Sequence, residues 1–185
     1  MPTSQNWINQ LQGLTAAYFK AFGNLTPDQL NWKPNPGIWS IGQVIDHVIT
    51  VNETYYSVVE QLKSGTYRTP WTAKLPFLVN WFGGFILGGV EPDRKRKIKT
   101  FPIWEPAQSD VLADIIQRFA DHHEKLGAVI ASCESFLQTG TVISSPANRN
   151  IVYKLDTAFD IIVAHERRHL NQALEVLEWM KKARV

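Results

Sequence analysis

His165 and His169 stand four residues apart in the string His165-Glu166-Arg167-Arg168-His169. On a helix that spacing puts two imidazoles about 40° apart in azimuth and about 6 Å apart along the axis, on one face. Two imidazoles so arranged can hold one metal ion. Their row runs Ile162, His165, His169, Gln172, Ala173, Val176, so the pair interrupts an apolar stripe instead of decorating a solvent-facing one. His47 does the same between Val44 and Val51. An inward His on one helix, opposite an inward pair on another, makes a three-nitrogen site of the kind helix bundles build from facing helices. Three neutral imidazoles leave a tetrahedral ion one open position for water or substrate, which is the catalytic pattern. Nitrogen donors suit zinc and nickel alike. Against this stands the ordinary role of a lone histidine on an apolar face, a hydrogen-bonded core residue. The pair fits that role less well, because two neighbouring buried imidazoles without partners cost roughly 1–3 kcal/mol each.

The same string has the HExxH form of zinc proteases, with Glu166 as general base. Only 16 residues follow His169, and Glu175 and Glu178, on the same helix, cannot fold back as a third ligand. Gln172 also stands where the extended motif needs glycine. A di-iron carboxylate centre requires two Glu-x-x-His motifs, and Glu166 to His169 is the one present. Glu166 is thus read either as an acid/base beside the metal or as a solvated partner of the nearby arginines. Gln172, one turn beyond His169, is read as orienting bound water or ligand, or as a plain buried amide. His122 and His123 are adjacent, so only one of them is expected to point inward. Cys133 falls on an inner helical stripe and is expected to be inert.

Proline maps the elements that must position these residues. None of the ten prolines falls in 4–23, 40–64, 108–140 or 154–185, whereas five lie between Pro70 and Pro106. Proline costs about 3 kcal/mol inside a helix, so the free stretches are the helices. The first, 4–22, carries a stripe from Trp7 to Phe22 and ends at Gly23. Thr26-Pro27-Asp28-Gln29 reads as a capped single turn. The second opens on the capping box Ser40-Ile41-Gly42-Gln43, with Trp39 and Val44 as its hydrophobic staple, and closes near Gly65. The third covers 110–138, with Leu112, Ile115, Phe119, Leu126, Ile130 and Cys133 inward. The fourth covers 157–183 and opens on the capping pattern Thr157-Ala158-Phe159-Asp160. The fold expected is all-α, one four-helix-bundle domain over 1–185. A long, partly helical crossover joins helices 2 and 3, which therefore need not be simple antiparallel neighbours. Within it, the apolar stretch 75–90 is too short and too broken by glycine to span a membrane, and reads as a short helix across the bundle. Trp71, Trp81 and Phe82 could wall a pocket, pack in the core or meet a second subunit. Any strand is expected to be minor.

Trp39-Ser40-Ile41-Gly42-Gln43 with His47 beyond it, followed by Ala164-His165-Glu166-Arg167-Arg168-His169-Leu170-Asn171-Gln172, resembles the DinB/YfiT-like superfamily. Asn31-Trp32-Lys33-Pro34, and Lys97-Ile98-Lys99-Thr100 followed by Pro106, add to the match. The resemblance implies a four-helix bundle with an unusual helix order, commonly dimeric. It also implies a divalent metal on three histidines, here His47, His165 and His169. Characterised members include S-transferases and isomerases that use low-molecular-weight thiols, and many others are labelled metal-dependent hydrolases. The expectation is therefore a thiol-dependent S-transferase acting on small electrophiles. The alternatives are a hydrolase using metal-bound water and a non-catalytic binding module for a metal or small ligand.

The chain of 185 residues has a net charge of +2, with 19 basic and 17 acidic side chains. Five of the basic ones are Arg94, Lys95, Arg96, Lys97 and Lys99, which leaves fourteen against seventeen elsewhere. A general nucleic-acid surface is excluded on that balance. The strip is read as a solvated loop, with Arg94, Arg96, Lys97 and Lys99 as candidate anchors for the carboxylates of an anionic substrate or thiol. One cysteine makes no internal bridge, and the first residues carry no basic start before an apolar run. A cytoplasmic, homodimeric protein acting on a small molecule is expected, with no membrane partner.

Overall fold

A computed structural model describes residues 3–92, 102–106 and 110–183. Helix α1, Ser4–Phe22, buries Trp7, Leu11, Leu14, Tyr18 and Phe22, a stripe at three- and four-residue steps. Thr26 caps the single turn α2, Pro27–Asn31, by accepting from the Gln29 amide while Gln29 reaches back. Ser40 and Gln43 form the same reciprocal box at the start of α3, Ile41–Lys63. That helix ends in a turn where Gly65 takes φ 69°, a left-handed conformation that only glycine adopts without strain.

The apolar stretch of the crossover is α4, Pro76–Gly89, lying against a hairpin and the last helix. Gly83 allows that approach, since a Cβ there would stand 3.1 Å from Thr157 Cγ2. Trp71, Phe77, Trp81 and Phe85 face outward. Among the described residues no helix is long and apolar enough to cross a membrane.

The third long helix is shorter than the proline-free stretch predicts. Asn31 donates to the Val111 carbonyl at 3.0 Å and accepts from its amide at 2.8 Å. Held by that clamp, the chain enters α5 only at Ile115, and Leu112 is exposed rather than inward. At the other end α5 stops at Ala131, and α6 follows at Glu134–Gln138. Ser132 and Cys133 both bond the Val129 carbonyl, and such side-chain bonds compete with the helical ladder. Cys133 is buried in the core as expected, and burial pushes its thiol up.

The minor strands form a hairpin, β1 Val142–Ser145 and β2 Asn148–Lys154, antiparallel with Ile143 opposite Tyr153. β2 runs directly into α7, Leu155–Ala183. The capping pattern expected at Thr157 does not form, because Asp160 accepts instead from Trp7 Nε1 at 2.7 Å and the Thr157 amide bonds Asp156.

Two apolar clusters fix the directions of the bundle helices. One joins the N-terminal half of α1, the C-terminal halves of α3 and α5, and the N-terminal third of α7. The other joins the opposite ends of the same four helices. Thus α1 and α7 run one way and α3 and α5 the other, with the order α1, α5, α3, α7 around the bundle. Helices α3 and α5 are parallel neighbours, so the chain between them must return the length of a 23-residue helix, about 35 Å. That is the physical reason for the long crossover.

Candidate metal centre

His47 lies nearly two turns into α3, and His165 and His169 lie one turn apart in the middle of α7; these two helices are antiparallel neighbours. Their rings converge. His165 Nε2 is 3.4 Å from His47 Nε2 and 2.9 Å from His169 Nε2. One ligand atom from each residue lies within 4.8 Å of the other two. Nitrogens each about 2.0–2.1 Å from a tetrahedral zinc ion would stand roughly 3.3 Å apart, so the spacing fits a single small ion. Two of the three residues are buried.

The crossover adds what the spacing of histidines did not reveal. His47 Nδ1 is 2.5 Å from the carbonyl oxygen of Trp104. A carbonyl only accepts, so Nδ1 carries the proton and Nε2 presents its lone pair to the other two rings. Trp39, just ahead of the α3 capping box, lies nearly parallel to the His169 ring at 6.4 Å and tilts over His47 at 4.9 Å. Burial lowers the His47 imidazole, against the Trp104 carbonyl and Asp46, which raise it. His165 is held well below its usual value by burial first, then by His47 and Arg168. Both shifts favour the neutral imidazole that a metal needs.

The three rings form part of the wall of a cavity of about 430 Å³. Gln172 lines it, as do Ile86, Gly89 and Val90 from the end of α4; Trp71, Trp81 and Phe82 do not. Arg168 also lines it and donates to the Gly89 carbonyl. The basic residues Arg94, Arg96, Lys97 and Lys99 lie outside the described residues.

Glu166 points elsewhere. One step along α7 from His165 turns a side chain by about 100°, and the Glu166 carboxylate is fully buried among α1, α3 and α5. It accepts from Asn52 Nδ2 at 2.7 Å and pairs with His123 Nε2 at 2.9 Å. His123 Nδ1 in turn meets Thr15 Oγ1 at 2.7 Å. The solvated partnership with arginine does not occur, and Glu166 does not line the cavity.

Adjacent His122 and His123 are both buried, contrary to the expectation that only one would be. They diverge: His123 enters the core, while His122 Nδ1 meets Tyr56 Oη at 3.0 Å in the seam between α5 and α3. A helix with neighbours on two sides can bury adjacent residues.

His122 has a consequence for acid stability. Burial first, then His123 and Lys125, lowers its imidazole to about 3. The unfolded chain takes up that proton near pH 6.5, whereas the folded chain stays neutral until about 3. The neutral imidazole therefore costs nothing above pH 6.5, and below it stability falls by up to about 1.4 kcal/mol per pH unit. Urea unfolding between pH 7 and 4 is expected to show a shallower loss in His122→Asn than in the wild type, by close to one proton. Equal slopes would contradict the assignment.

The DinB superfamily profile matches residues 10–173. Among curated proteins, the chain is similar to the uncharacterized protein YuaE of Bacillus subtilis (strain 168). The two are 28% identical over 163 residues, which cover 86% of this chain and 90% of that one. No solved structure matches the chain.

Proposed function

This chain belongs to the DinB superfamily, and on that premise we propose that it is a metal-dependent S-transferase. In this reading His47, His165 and His169 hold a divalent ion, zinc or nickel, and a low-molecular-weight thiol is joined to a small electrophile. The observation that carries the reading is the convergence of three imidazole nitrogens at an apolar cavity large enough for a small molecule.

A divalent ion held there supplies Lewis acidity, which favours the thiolate over the thiol near neutral pH. The protein's own groups do the rest. The Trp104 carbonyl fixes the His47 tautomer, Trp39 packs against the His47 ring, and Gln172 offers an amide to orient the reactant beside His169. Glu166 stiffens α7 from inside the core. In the transfer the thiol S–H bond breaks and a C–S bond forms to the electrophilic carbon. The proton leaves with the departing group, or is taken up by the adduct when nothing departs.

Purified protein is expected to carry close to one divalent ion per chain; less than about 0.2 equivalent after metal loading would remove the metal site. The loaded protein is then incubated with a panel of small thiols and a model aryl electrophile, and separately with ester and amide substrates. Thiol-dependent adduct formation is the expected result. Thiol-independent hydrolysis would replace the transferase by a hydrolase, and silence in both arms with metal bound would leave a binding module.

A further inference from the structure

The cavity has two unlike ends. Its mouth is polar and open, at Gly37, Gln172, Glu175 and Trp179. The opposite end, past the histidines toward the start of α7, is lined by the buried Val51, Ile161 and Ile162 and the half-buried Ile86 and Ile151. The charged residues that line the cavity, Arg168 and Glu175, follow His165 along α7 toward the mouth, and none of the described residues at the apolar end carries a charge. An ionised group placed there would lose its hydration without a partner, which is strongly unfavourable. A ligand seated there is therefore neutral and largely apolar.

That end also holds one polar device. Tyr55 Oη and Tyr153 Oη are 2.8 Å apart, both residues are almost wholly buried, and both line the cavity. Ser145, from β1, lines it too. Ser145 Oγ accepts from the Ala147 amide at 3.3 Å. The two tyrosine hydroxyls, joined by one hydrogen bond, leave one O–H over. Burial raises the Tyr153 phenol to about 12 and Tyr55 well above its usual value, so both stay neutral donors. Tyr55 lies eight residues beyond His47 on α3, about 12 Å along the axis. The hydroxyls thus stand at the far end of the space that begins at the metal site.

We infer that this apolar end is the electrophile subsite: it takes a compact, uncharged, mainly apolar molecule whose oxygen accepts a hydrogen bond from the Tyr55–Tyr153 hydroxyl pair. The polar mouth is left for the thiol. This rests on the proposed reading of the cavity as the substrate site. It is tested by binding, which needs no turnover.

Three probes of nearly one shape separate the features. Acetophenone offers a carbonyl, α-methylstyrene replaces its oxygen by a methylene, and benzoate adds a charge. Dissociation constants are measured by ligand-observed NMR on the metal-loaded protein. The comparison uses wild type, Val51→Phe, and the double variant Tyr55→Phe/Tyr153→Phe. Replacing both partners of a buried hydrogen bond by apolar rings of the same shape is close to neutral for folding, so the double variant is expected to fold. It should weaken acetophenone about 3- to 10-fold, the worth of one hydrogen bond, and leave α-methylstyrene within about twofold. Val51→Phe should weaken both, and benzoate should bind more weakly than either. Equal losses for the two neutral probes in the double variant, or benzoate binding as well as acetophenone, would overturn the subsite. If the probes behave as expected while no thiol is transferred, the subsite stands and the transferase falls. If thiols are transferred while the probes ignore both variants, the transferase stands and the subsite falls.

Discussion

His165→Ala is expected to lose stoichiometric divalent metal and to lower kcat/KM for thiol transfer by at least about 10³-fold, yet to leave the metal-free fold no less stable. The first part follows from geometry. His165 is the central ring, with its Nε2 near both His47 and His169, so its removal leaves two donors on opposite helices. A catalytic metal contributes several kcal/mol to a transition state, and about 4 kcal/mol corresponds to the stated loss. The second part follows from the surroundings. Burial, His47 and Arg168 all disfavour a proton on His165, and its Nδ1 is buried without a hydrogen-bond partner among the described residues. Without metal, that ring is a liability in the folded state. Its truncation enlarges a cavity already present instead of opening a new one, so the void adds little. Metal analysis, steady-state kinetics and thermal melts in chelator check the three parts. A variant that unfolds in chelator while the wild type does not would show that the ring serves the core. Retention of one equivalent of metal would show that it is not a ligand.

The readability of this site in the chain depended on how local each signal is. The capping boxes at Thr26 and Ser40 involve four consecutive residues, and both formed as their side chains dictate. The i, i+4 geometry of His165 and His169 is equally local, and so is the place of His47 in an apolar stripe. What the chain did not disclose came from partners distant in sequence. The late start of α5 depends on Asn31, eighty residues away from Val111. The tautomer of His47 depends on a backbone oxygen of Trp104, to which no side-chain pattern points. Tyr153 and Ser145 reach the cavity on a hairpin too short to leave a clear alternation. Glu166 read as solvated because arginines flank it in sequence, whereas along a helix its immediate neighbours face other directions.

The structure also gives Glu166 a place in the fold that separates it from the histidine cluster beside it. The two apolar clusters of the bundle occupy opposite ends, and between them lies a polar layer of Thr15, Asn52, His123 and Glu166. At the same level His165 stands on the cavity side of α7. Polar residues there set the rotation of α7: with the Glu166 carboxylate anchored to α3 and α5, His165 and His169 are turned toward the cavity.

Glu166→Ala is accordingly expected to destabilise the protein by roughly 2–6 kcal/mol, at about 1–3 kcal/mol for each of two buried polar groups left without its acceptor. The loss has two sources. Asn52 Nδ2 and the His123 ring would be left buried without their acceptor, and truncation would open a void where the carboxylate is fully enclosed. Glu166→Gln keeps the shape and one acceptor oxygen for Asn52, so it should cost less. The double substitution Glu166→Met/His123→Leu removes both polar partners together and should recover much of the loss, as apolar replacement of both partners of a buried polar contact often does. Urea unfolding of the four proteins measures all of this. An acid/base role predicts the reverse pattern, in which Glu166→Gln is as stable as the wild type but nearly inactive while still binding metal. A Glu166→Ala variant within about 1 kcal/mol of the wild type would show that the buried carboxylate does not hold the bundle together. Full metal occupancy in Glu166→Gln, with transfer activity retained, would place the residue in the architecture that aims the histidines and not among the groups that react.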